Sequence, residues 1–74
     1  PAARAAIVEE AKRMGDMETS VVAQALVGRT LRAFGHRTAA RDAFVAAIEG
    51  ATKLDSAPMI HEYQAELAEM GDPA

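Results

Sequence analysis

Large apolar residues recur along this chain at intervals of three and four, the spacing that gathers side chains on one face of an α-helix. Ile7, Ala11 and Met14 form a first run, and Val27, Leu31 and Phe34 a second. Ala40, Phe44, Ala47, Ile48 and Ala51 form a third, and Ile60, Tyr63, Leu67 and Met70 a fourth. Three helix ends share one design, Met14-Gly15-Asp16 and Phe34-Gly35-His36 between runs and Met70-Gly71-Asp72 after the last. In each, a large apolar residue precedes a glycine able to adopt the left-handed conformation that ends a helix. The pattern predicts four helices, the first from about Ala2 to Met14, the second from Met17 to Phe34 and the third from Ala39 to Lys53. The fourth is capped by Asp55 or Ser56, carries Pro58 in its first turn and closes at Gly71. Asp16 and Thr38 are the expected N-caps of the second and third. Because the connections are short, neighbours must run antiparallel. The expected fold is all-α, about four antiparallel helices stacked as helical hairpins.

Alanine, at about a quarter of the 74 residues, supports helix nearly everywhere outside the breaks. It also thins the core: a chain of this length buries only about 60% of its unfolded surface, and few of its side chains are large. There is no cysteine, so neither disulfides nor thiolate metal sites can stabilise it. Outside help is therefore expected, from copies of itself, a larger complex or a longer chain. The longest apolar runs fall far short of the roughly 20 residues that span a bilayer, which predicts a cytoplasmic protein without membrane partners.

Gly28 interrupts the second helix, where glycine costs about 1 kcal/mol relative to alanine, so its presence calls for the close approach of another helix. Around it stand Gln24, Val27, Gly28, Leu31 and Gly35, then Ala40, Phe44 and Ala47. This order resembles the tetratricopeptide repeat, a 34-residue helix-turn-helix with the signature W-x2-L-G-x2-Y, then A-x3-F, then P. Val27 stands for its leucine, Gly28 for its glycine and Leu31 for its tyrosine, while Ala40 and Phe44 keep both spacing and identity. Gln24 replaces the tryptophan and Thr52 the proline. The resemblance covers one full repeat, 21–54, and part of a second, 55–74, where Ile60, Tyr63, Leu67 and Gly71 keep the spacing but Gln64 replaces the glycine. Before Val21 the match fails, and the segment 2–14 is then a capping helix, or the second half of an earlier repeat, within a single helical-repeat domain.

The resemblance implies a non-enzymatic module that binds a partner protein or peptide in a groove lined by the first helix of the repeat. Here that face carries Val22, Ala25, Arg29 and Arg32. Two arginines on a groove wall suit an acidic peptide, because guanidinium groups donate paired hydrogen bonds to carboxylates. An ordinary solvated face would carry the same residues. The family's chaperone-type carboxylate clamp needs asparagines, and the chain has none.

Charge is segregated along the chain. Arg29, Arg32, Arg37 and Arg41 occupy a stretch without acids, whereas Asp55, Glu62, Glu66, Glu69 and Asp72 follow the last basic residue, Lys53. The basic stretch admits a second reading, a helix-turn-helix DNA reader with the third helix in the major groove. The net charge of −3 and the alanine-rich face of that helix argue against nucleic acid. A third reading is a self-assembling or scaffold subunit. His61 and Glu62 begin a zinc-protease motif that Ala65 leaves unfinished, and the scattered glycines form no phosphate loop, so neither a cofactor nor a metal is expected.

Overall fold

The computed structural model describes residues 2–71, with side chains from position 6 onward. Three helices account for nearly all of them: α1, Ala2–Ala33; α2, Arg37–Lys53; and α3, Ala57–Glu69. The expected all-α class holds, but the first two expected helices are one. Gly15 lies inside α1 without a positive φ, and the Thr19 hydroxyl donates to its carbonyl at 3.0 Å. One interior glycine costs about 1 kcal/mol, less than the backbone bonds that a break would give up with nothing to pack against it.

The other two breaks do end helices. Gly35 has φ +84°, and the His36 N–H donates to the Leu31 carbonyl at 2.9 Å while the Gly35 N–H reaches Arg32 at 3.1 Å, the paired bonds of a Schellman turn. Gly71, with φ +73°, follows the end of α3, and its N–H bonds to the Ala68 carbonyl; Asp72 lies outside the described residues. Between α2 and α3 the same Schellman pairing is built on Asp55, whose φ of 54° is uncommon for a side chain other than glycine. Asp55 thus finishes α2 instead of capping α3. Ser56 stands at the cap position of α3 and His36 at that of α2, neither with a side-chain cap bond, and Thr38 lies inside α2.

The second helix is the middle layer, packed against both others. Gly28 faces Phe44 and Val21 faces Gly50, so rising numbers on α1 meet falling numbers on α2, the signature of an antiparallel pair. Val21, Ala25, Ala47, Ala51 and Tyr63 make one buried cluster, edged by Ile48, Leu54, Met59 and Ile60. Ala40, Phe44 and Met70 make the other, edged by Leu31 and Leu67. Phe44 is the largest fully buried side chain, and most of the remaining core is alanine. Small residues allow the helices to approach closely, but each contributes little apolar area.

A 32-residue helix is about 48 Å long, nearly twice the length of α2. Its first turns therefore project past the other helices, while Ala11, Met14 and Gly15 border a groove with Leu54, Ser56 and Met59, and the molecule measures 55 × 21 × 14 Å. On that overhang Ile7 is 70% exposed and Val8 63%.

Candidate functional site

The most connected polar feature lies where α1 meets α3. Arg29 donates from Nε to one carboxylate oxygen of Glu66 at 2.8 Å and from Nη2 to the other at 2.7 Å, a bidentate pairing. The same Nη2 reaches Glu62 at 3.3 Å. Arg32, one turn on, approaches Glu66 at 3.6 Å and lays its guanidinium over the Phe44 ring, 5.6 Å from the centroid. The hydrogen bond from Arg29 holds the Glu66 carboxyl below the usual carboxylate range, and the same bond holds Arg29 above its ordinary value. Beside them, burial pushes the Tyr63 phenol up.

The other arginines of the basic stretch also turn inward. Arg37 donates to the Met70 carbonyl, and Arg41 to the Gly71 carbonyl at 3.3 Å. Positive charge at the start of α2 opposes that helix's dipole, but here it meets free carbonyls beyond the end of α3, where positive charge is favoured. The last turn of α3 has no basic residue of its own. Arg29 and Arg32 of the basic middle thus meet Glu62 and Glu66 of the acidic end, and Arg37 and Arg41 meet backbone carbonyls at the end of α3.

The four groove residues named from the sequence fall in different settings. Val22 is 49% exposed and Ala25 only 1%, packed in the first core cluster. Arg29 and Arg32 are engaged by Glu62, Glu66 and Phe44. The spacing that suggested Ala25 holds only on the outer side of α1, because α2 and α3 cover a wider arc than one stripe. Leu26, next to it and 60% exposed, is the apolar neighbour that Val22 has at the surface. Sequence reasoning passed over it, although a leucine one turn after a surface valine was the available signal.

Among the described residues no three His, Cys, Asp or Glu side chains gather as a metal site, and no helix is long and apolar enough to cross a membrane. His36 lies in the turn between α1 and α2, and His61 is exposed on α3. No family model, curated protein or solved structure matches the chain.

Proposed function

We propose that this chain is a non-enzymatic protein-interaction module, a tetratricopeptide-like helical hairpin that holds a partner helix along α1. The observation that carries the reading is Val22 and Leu26, exposed apolar side chains one turn apart beside the Arg29, Glu62 and Glu66 network. A rigid, neutralised ion cluster next to apolar surface is the usual composition of a docking wall: the apolar part supplies affinity and the polar part fixes register. The repeat reading draws support from Gly28, where an added Cβ would meet the Phe44 ring at 3.1 Å. That close contact is the role the resemblance gives to this glycine and this phenylalanine.

Because both arginines already carry acidic partners, an acidic peptide would have to displace Glu62 or Glu66. Glu62 remains 59% exposed and can take a basic group from a partner. The favoured ligand is therefore an amphipathic helix whose apolar stripe is flanked by lysines. Titrating the isotope-labelled chain with two model helices, alike in their leucine and alanine stripe but flanked by lysines or by glutamates, tests this by amide shifts. The lysine version is expected to move Val22, Leu26 and Glu62. No shift from either version at millimolar concentration would remove the reading.

A further inference from the structure

Just after the overhang, α1 passes the turn between α2 and α3, and Met14 and Gly15 line an open groove there with Leu54, Ser56 and Met59. The apolar lining is only partly covered: Met14 is 47% exposed, and Leu54 and Met59 edge the first core cluster without being buried in it. Gly15 keeps its wall open, since a Cβ added there would meet nothing within 4 Å. One charged side chain, Glu18, stands in this lining. It is exposed and has no ion-pair partner among the described residues, unlike Glu62 and Glu66, which Arg29 engages. At the turn, Asp55 offsets Lys53, so Glu18 and the negative end of the α2 dipole set the sign of the groove.

Tyr63 connects this groove to the Arg29 and Glu66 network. Its phenol is pushed up first by burial and then by the charges of Glu62, Glu66 and Glu18, against the opposing charge of Arg29. Glu18 on α1 and Glu62 on α3 thus stand within Coulombic reach of one phenol. Val22 and Leu26 follow Glu18 at intervals of four, on the same face of α1. From Glu18 to Arg29, which holds Glu62, is eleven residues, about 16 Å or three turns. An apolar groove with a carboxylate at its side suits a long side chain with an apolar stem and a cationic head. Lysine has that form, because its methylenes cover apolar surface while the ammonium stays at the carboxylate and in water. A purely apolar occupant would take water from Glu18 without giving it a partner, which is costly.

We propose that this groove takes a lysine of the partner helix, its stem against Met14, Leu54 and Met59 and its ammonium on Glu18. This rests on the interaction reading above and adds to it a second charged contact, about three turns from the one at Glu62. The partner class narrows accordingly to a helix with two lysines about eleven residues apart on one flank of its apolar stripe.

The test uses the full chain, isotope-labelled on its methyl groups, and two model helices with the same leucine and alanine stripe and glutamine elsewhere. Both carry one lysine for Glu62. About eleven residues along, one helix carries a second lysine and the other norleucine, which keeps the stem and drops the charge. The two-lysine helix is expected to bind about fivefold tighter, the upper range for a partly exposed ion pair, and to shift the Met14, Leu54 and Met59 methyls. In Glu18→Gln, whose helicity is checked by circular dichroism, that advantage should vanish. Equal binding of the two helices overturns the proposal, as does an advantage that survives Glu18→Gln or one that leaves the Met14 and Met59 methyls unmoved. Equal binding that still shifts Val22 and Leu26 would leave the interaction reading standing without the groove, whereas no binding of either helix at millimolar concentration would remove both.

Discussion

The two halves of α1 are alike in sequence and unlike in situation. Both are rich in alanine and carry large apolar residues at helical spacing, yet only the half after Met17 supplies residues to the buried core; Ala11, Met14 and Gly15 merely border a groove shared with Leu54, Ser56 and Met59. Opposite that half, α2 presents Ala47, Gly50, Ala51 and the Phe44 ring, small enough or flat enough to let two helix backbones approach. Before Met17, Ile7 and Val8 meet no other element and remain largely exposed. Helical spacing thus foretells a helix and a face, but the stability of that face depends on what the rest of the chain can lay against it.

The largest contrast between the halves lies in their big side chains. Phe44→Ala empties the only large, fully buried site among the described residues, against Gly28 and under Arg32, and is expected to cost about 3–5 kcal/mol. Ile7→Ala, on the overhang, should change the stability of the dilute chain by less than about 0.5 kcal/mol. Urea unfolding at low concentration measures both. Equal effects would mean that the overhang is packed in the monomer, and the division of α1 would fall.

Glycines sharpen the same contrast at smaller cost. At Gly50 an added Cβ would lie 2.5 Å from Cγ2 of Val21, a branched side chain with little freedom to yield. Gly50→Ala should therefore destabilise by about 1–3 kcal/mol from overpacking, less the roughly 1 kcal/mol that alanine adds to any helix. Gly28→Leu, against the Phe44 ring, should fall in the same range. Gly15→Ala meets nothing and should stabilise by up to about 1 kcal/mol, seen as a higher melting temperature and added helicity. A destabilising Gly15→Ala would mean that the chain bends there after all.

These glycines also mark how far the sequence could be read. Gly28 was legible as a close approach because a costly residue inside a strong helical pattern demands a packing reason, and Phe44 supplies it. Gly35 and Gly71 were legible as stops. Gly15 looked identical to them in its neighbours, Met14 and Asp16, yet the helix runs through it. Burial of the preceding residue does not separate the cases, since Phe34, before Gly35, is 75% exposed and Met14 47%. The difference is that the chain after Gly35 returns as α2 against α1, whereas the chain after Gly15 continues α1. The charge segregation was visible too, but not its use, since nothing in the order of residues says that Arg29 and Arg37 meet the acids and carbonyls of their own chain instead of a partner's.

The smallest expected effect concerns that internal pairing. Glu66 has its carboxyl held below its ordinary value of 4.5 by the Arg29 hydrogen bond, so the folded chain takes up the proton less readily than the unfolded one. Its contribution is complete above that ordinary value and disappears as pH falls through the lower folded value, so stability declines on acidification below about pH 4.5. Arg29 is 40% exposed, and screening by water keeps the contribution below about 1 kcal/mol. On the overhang, Glu10 and Arg13 form an ion pair that joins no second element, and exposed pairs of that kind contribute little. Urea midpoints between pH 7 and pH 3 should therefore fall less in Glu66→Gln than in the parent chain, while Glu10→Gln follows the parent. If Glu66→Gln kept the full acid dependence, the clamp between α1 and α3 would carry none of it. The paired half of α1 would then be held by its apolar contacts alone.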